Sequence, residues 1–275
     1  RISTGRVAGM LKILPRRHHK GDAGHLLVVG GALGMGGAVR LAGEAALRVG
    51  AGLVSVATRP EHAVYLNSGC PELMVNGIEC GPDLSAFLQR ATAVVVGPGL
   101  GLGSWGRDLL SRVLETELPL VVDADGLNLL SEQPTTRTNW ILTPHPGEAA
   151  RLLDRSIREV QEDRLVAGRR IQECYGGGCV LKGAGTLIAT PNGSLSICDR
   201  GNPGMASAGM GDLLAGIIGS LLSQGLDLGE AAKSGVWLHS SAADLAAIDG
   251  ERGMIARDLL PGLRRLADNP AAADE

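Results

Sequence analysis

The chain has 275 residues, 44% of them apolar, and 29 acidic against 26 basic side chains give a net charge of −3. That length suits one large α/β domain. Charges of both signs are interspersed with no basic stripe, which argues against nucleic-acid binding, and no uncharged apolar stretch is long enough to span a membrane.

Aromatic residues make up 2% of the chain and Phe87 is its single phenylalanine, so the core is expected from Ala, Val, Leu and Ile. Residues 1–17 lack the sustained apolar core and small-residue cleavage site of a signal peptide, and residues 1–10 read as the remnant of an upstream domain. Residues 26–30 (LLVVG) read as a buried strand, followed by a helix over 36–49 and a strand over 53–58. Further strands are expected at 93–97, 119–125, 140–144, 179–183 and 186–190, with 194–199 pairing beside the last. Helices are expected near 105–116 and over 147–154, 158–175, 211–224 and 229–248. Continuous apolar strands between helices point to a mainly parallel sheet covered on both faces. The Pro191-Asn192-Gly193 turn marks a hairpin at one edge. The chain reads as a single domain, 1–275, with a disordered tail after residue 267. Five cysteines, an odd number without a C-x-x-C pair, suit free thiols in a reducing cytoplasm.

Ligands bind at the carboxyl ends of parallel strands, and six segments place glycine or polar groups there. They are Gly30–Gly37, Gly97–Gly101, Asp123-Ala124-Asp125, Thr143–Glu148, Lys182–Thr186 and Gly201–Asp212. In the last, Gly209-Met210-Gly211 runs into an apolar helix. Backbone N–H groups at a helix N-terminus make an anion hole. Asp212 lies in the first turn beside it and suits a residue that orients a hydroxyl for attack on a phosphoryl group. The helix dipole is expected to lower its pKa. A lone Asp there would read as a cap; behind four glycines in twelve residues it reads as functional. In Lys182–Thr186, glycines allow a ring or phosphate to approach the backbone, although alone the segment reads equally well as a tight turn with a solvated lysine. Glu148 and Asp123 are candidates to hold Mg²⁺ through water, with helix capping as the plain alternative for Glu148. Asp125 shares the candidacy. His145, fixed between two prolines, reads as a ligand contact. His18, His19, His25 and His62 show no metal-ligand spacing. Gly101, Gly103 and Gly106 match G-x-G-x-x-G with Asp123 downstream, but Pro98 and several residues separate them from their strand, so the match is discounted.

Taken together and in order, His19-Lys20-Gly21, Gly24-His25, Val28-Val29-Gly30-Gly31, Gly97–Gly101, Asp123-Ala124-Asp125, Thr143–Glu148, Lys182–Thr186 and Gly201–Ala206 resemble the ADP-dependent NAD(P)H-hydrate dehydratase family, the carboxyl-terminal half of bacterial bifunctional NAD(P)HX repair enzymes. The resemblance runs from about residue 10 to residue 265. It implies a ribokinase-like fold and an ADP-driven (in some relatives ATP-driven) dehydration of hydrated NADH or NADPH, with Mg²⁺. It assigns the hydrate to Ala38, Gly99, Gly101, His145 and Asp212. It assigns the nucleotide to Lys182, Gly183, Ala184, Gly185, Thr186 and Gly211. It further implies a homotetramer and a fused or partner NAD(P)HX epimerase. Ala208 departs from the family, which more often has Gly there. His145-x-x-Glu148 stands where sugar kinases of this fold carry Asn-x-x-Glu, which favours a dehydratase. The rival readings are a vitamin-alcohol or sugar kinase of the same fold, a nucleotide-binding regulator without turnover, and an NAD-dependent oxidoreductase built on Gly101, Gly103 and Gly106.

Overall fold

The structure, a computed structural model, describes residues 1–11 and 21–274; His18, His19 and Lys20 lie outside them. The elements run α1 (Thr4–Met10), β1 (His25–Val29), α2 (Gly36–Arg48), β2 (Leu53–Thr58), α3 (Pro60–Ala63), β3 (Met74–Gly77), α4 (Ser85–Leu88), β4 (Ala93–Val96), α5 (Ser104–Leu114), β5 (Leu120–Val122), α6 (Asp125–Glu132), β6 (Trp140–Leu142) and α7 (Pro146–Leu153). They continue α8 (Ile157–Glu162), α9 (Arg164–Tyr175), β7 (Gly178–Leu181), β8 (Thr186–Ala189), β9 (Leu195–Cys198), α10 (Met210–Ser223), α11 (Leu228–Ala246) and α12 (Leu259–Asp268).

One sheet of nine strands has the order β3-β2-β1-β4-β5-β6-β7-β8-β9. Pairing is parallel from β3 to β7, and β8 and β9 add antiparallel as the expected edge hairpin. Alternate residues of each strand feed two cores. Leu26, Val28, Val54, Val56 and Val95 pack with α2, α10 and α11 on one face. Leu27, Val29, Val94, Val96 and Val122 pack with α5, α6, α7 and α9 on the other. Burial on both faces is why these strands read as unbroken apolar runs. The α2–α10 crossing is close: a Cβ on Gly216 would lie 2.0 Å from the Ala42 carbonyl oxygen. Among the described residues no helix is long and apolar enough to cross a membrane.

Two expectations are corrected. The helix expected over 158–175 is two helices. The Asp163 carboxylate accepts from the Val166 N–H at 2.9 Å, so a side chain takes over the role of the helical ladder. The tail after residue 267 is not free. Pro270–Ala273 form a 3₁₀ turn with Ala272 buried, and Arg200 bonds the Ala273 carbonyl and the Asp274 carboxylate. Apolar contact there, helped by one guanidinium, offsets the polar composition. At the other end, Ile2 is buried and its N–H donates to the Ile197 carbonyl at 3.0 Å.

Candidate active site

In the sheet order, the chain leaves β1 toward β2 and β3 and then returns to place β4 on the other side of β1. Such a reversal opens a crevice at the carboxyl ends of the two strands. The loop after β1 and the loop after β4 line it and are laced together. Gly31 N–H donates to the Pro98 carbonyl at 3.0 Å, and Ala32 N–H to the Gly99 carbonyl at 2.6 Å. Gly99 has φ +56, and a Cβ there would sit 2.8 Å from Met35 Cβ and 3.3 Å from Ala38 Cβ. Ala38, Gly99 and Gly101, expected to meet the same ligand, are thus brought together. The Gly101 N–H donates to Asp125 Oδ2 at 2.8 Å. A Cβ on Gly106 would lie 2.3 Å from the Gly101 carbonyl. The G-x-G-x-x-G run therefore packs α5 beneath its own loop, and the carboxylate that Gly101 meets is Asp125 rather than Asp123.

Asp123 follows β5 directly and is 1% exposed. The next residue, Ala124, has φ +48 and ψ −120, a conformation costly for a side chain with a Cβ. Asp123 Oδ1 accepts from Thr143 Oγ1 at 2.8 Å and from Lys182 Nζ at 2.7 Å. Lys182 Nζ also lies 3.7 Å from Glu148 Oε2. The lysine is therefore not solvated but sits between two buried carboxylates. Burial alone would depress its pKa; Asp123, Glu148 and Asp212 outweigh that and raise it. Glu148 is pushed up to about 7, first by burial and then by repulsion from Asp123, against the pull of Lys182.

His145 caps α7, and the plain capping alternative for Glu148 is realised. Its Oε2 accepts the His145 N–H at 2.7 Å while His145 Nδ1 accepts from the Gly147 N–H at 2.9 Å. About half of the imidazole remains exposed. Burial, with Lys182 and Arg151 nearby, lowers the His145 pKa. Neutral imidazole is the form that can accept at Nδ1.

Gly209, with φ +88, precedes α10, and a Cβ there would strike Leu41 Cδ1 at 2.5 Å. A Cβ on Gly211 would stand 3.3 Å from Lys182 Nζ, so the start of α10, with the N–H groups of Gly209, Met210 and Gly211, abuts the Lys182 cluster. Asp212 follows in the first turn. Where the helix position alone suggested a lowered pKa, it is raised to about 6, because burial and the Asp123 charge outweigh the pull of Lys182. A carboxylate near 6 is a better base at neutral pH than one near 4.

Gly183 and Ala184 are exposed, and the Thr186 hydroxyl donates to the Gly183 carbonyl at 3.0 Å. Among the described residues no group of three or more His, Cys, Asp or Glu is set to hold a metal. With Lys182 between Asp123 and Glu148, the donors fit a cation reached through water rather than a direct cage. Four residues near these motifs escaped the sequence reading. Thr143 orients Asp123, and Asp244 accepts from the Gly201 N–H and the Asn202 amide. His239 is buried behind Met210 with its pKa lowered to about 4 by burial. Arg164 grips the Lys182–Thr186 loop. Only Thr143 lay inside a motif; the others are distant in sequence and carried no spacing signal.

The family model described as NAD(P)H-hydrate dehydratase matches residues 26–265. The chain belongs to that family. It is 56% identical over 264 residues to a bifunctional NAD(P)H-hydrate repair enzyme of Coxiella burnetii, covering 94% of this chain and 54% of that protein. The chain thus spans about half the length of the bifunctional relatives it matches. It is 43% identical to an ADP-dependent (S)-NAD(P)H-hydrate dehydratase of Neisseria meningitidis, covering 90% of this chain and 86% of that protein. Among solved structures, an ADP/ATP-dependent NAD(P)H-hydrate dehydratase from Bacillus subtilis, co-crystallised with ATP and Mg²⁺, superposes with a TM-score of 0.87 at 29% identity, covering 96% of each chain. The fold is the ribokinase-like three-layer arrangement that the motifs implied.

Proposed function

We propose that this member of the family converts the S form of hydrated NADH or NADPH back to the reduced dinucleotide at the expense of ADP, or of ATP, releasing phosphate. The observation that carries the reading is Asp212, a carboxylate with a pKa near 6 in the first turn of α10, beside the anion hole and Lys182. The hydrate would lie in the β1–β4 crevice against Ala38, Gly99 and Gly101, with His145 and Asp212 at the reacting end. The nucleotide would lie along Lys182, Gly183, Ala184, Gly185, Thr186 and Gly211.

Hydroxide leaves poorly, whereas phosphate leaves well. Asp212 takes the proton of the ring hydroxyl as its oxygen bonds to the terminal phosphorus of ADP, and AMP departs. The Gly209, Met210 and Gly211 N–H groups hold the transferred charge. The ring nitrogen then expels phosphate, and loss of a proton from the neighbouring carbon restores the dihydropyridine. Lys182 holds Asp123 and Glu148 in place and adds positive charge next to the phosphates. Glu148 and Asp123 fit contact with Mg²⁺ through its waters, and the ion, bound with the nucleotide, would spread phosphoryl charge. Five free thiols suit a reducing cytoplasm. By family likeness we also propose a homotetramer and work alongside an epimerase, fused or separate.

Phosphorus NMR of a reaction with the S hydrate, ADP and Mg²⁺ is expected to show AMP and inorganic phosphate in equal amounts. A persistent phosphorylated hydrate or alcohol would point instead to a kinase of the same fold.

A further inference from the structure

Arg164 opens α9 at its break from α8, and its guanidinium turns to the loop between β7 and β8. Nη1 donates to the Ala184 carbonyl at 2.5 Å. Nη2 donates to the Leu181 and Lys182 carbonyls, each at 3.3 Å. A Cβ on Gly183 would meet Nη2 at 2.9 Å, so glycine is needed for the guanidinium to come this close. Burial lowers the pKa of this arginine, and among the described residues no carboxylate offsets it. The group stays charged in proteins, so an unneutralised cation backs the loop.

The direction of the carbonyls fixes the direction of the N–H groups. Every described peptide bond is trans, and across a planar trans peptide the C=O and the following N–H point opposite ways. The Leu181 carbonyl faces Arg164, and the Lys182 N–H accordingly points away and donates to the Pro144 carbonyl at 2.8 Å. By the same geometry, the Lys182 and Ala184 carbonyls held by Arg164 turn the Gly183 and Gly185 N–H groups away from α9. Both glycines have positive φ, +142 and +66. Without the guanidinium such peptides turn over easily, and a carbonyl that replaced an N–H would repel a phosphate.

We propose that Arg164 is a positioning residue for the nucleotide. It gathers three carbonyls on the α9 side of the loop and so presents the Gly183 and Gly185 N–H groups to the anionic part of the ligand. This rests on the nucleotide site proposed above. Arg164→Lys keeps the charge but cannot span three carbonyls with one ammonium, and Arg164→Ala removes both functions.

The test is calorimetric titration of ADP with Mg²⁺ into the wild type and both variants, together with steady-state kinetics and melting midpoints. Affinity and KM for ADP are expected to weaken by about tenfold or more in Arg164→Ala and by less in Arg164→Lys. At saturating ADP, kcat should stay within about threefold, with KM for the hydrate unchanged and the melting midpoint lowered by only about 2–4 °C. Wild-type ADP affinity in Arg164→Ala would overturn the proposal. So would equal losses in ADP affinity, hydrate KM and melting midpoint, which mark a general structural role. If Arg164→Ala does not fold, the Arg164→Lys titration decides by the same criteria. A wild type that binds neither ADP nor ATP would overturn the nucleotide site itself, a result distinct from a variant that binds as well as the wild type.

Discussion

Asp212 shows how environment overrides local rules. Its place at a helix N-terminus favours the carboxylate, yet burial and the neighbouring Asp123 charge raise its pKa to about 6. As the base proposed above it must be ionised, so kcat/KM is expected to rise with pH through about 6 and to fall about tenfold per unit below it. The same shift sets a stability trend. A carboxyl whose folded pKa lies above its unfolded value of 3.8 binds its proton more tightly in the folded state. Its contribution to stability is therefore lost as pH rises from 3.8 to about 6. Asp212→Asn should accordingly melt above the wild type at pH 7, with the gap closing near pH 4, a comparison that calorimetry of both proteins makes directly. An Asp212→Asn protein that melts below the wild type at pH 7 would show that the charged form is favoured and that the base is weaker than described.

At the scale of elements, the α2–α10 crossing sets the proposed anion hole against the crevice, since α2 follows the loop after β1 and α10 starts at Met210, just after Gly209. Its closeness depends on Gly216, where a Cβ would lie 2.0 Å from the Ala42 carbonyl oxygen and 2.7 Å from Ala42 Cα. Gly216→Ala gains helix propensity but meets backbone that cannot yield without moving the helices apart. Overpacking of this kind costs about 1–3 kcal/mol, and denaturant unfolding should show the loss. Unchanged stability would mean that the helices separate freely. The elements best read in advance were those with one periodicity and full burial, such as β2, whose expected bounds of 53–58 match the structure. Strand β3 escaped notice because Met74–Gly77 is short and half exposed, so no apolar run marks it. The α8–α9 break was hidden because helical periodicity runs through Asp163 and only its side-chain bond to Val166 reveals the stop. Helix α6 starts from Ala124 in a backbone conformation that no residue type announces.

Across the whole molecule, the site is an assembly of motifs that are each visible locally and meet only through the fold. The glycine clusters after β1, after β4 and before α10 could be placed because glycine ahead of a helix has a backbone meaning. The Lys182–Asp123 contact joins residues 59 apart, and its companions Thr143, Glu148 and Asp212 come from two further segments. No spacing rule connects them, and burial with the Asp123 charge moved the pKa of Asp212 opposite to the local expectation. Sheet order supplies the missing link. Parallel strands β4 to β7 line up the ends that carry Gly97–Gly101, Asp123, Thr143–Glu148 and Lys182 along one edge of the sheet, and α10 covers the row with Asp212.

The proposed dehydration is tested most directly by the near-ultraviolet dihydronicotinamide absorbance when the protein is mixed with S-form NADHX, Mg²⁺ and ADP, or ATP in a separate cuvette. A nucleotide-dependent rise is expected in the wild type, slower by a factor on the order of a hundred or more in Asp212→Asn. No rise with either nucleotide, or an equal rise in Asp212→Asn, would contradict it.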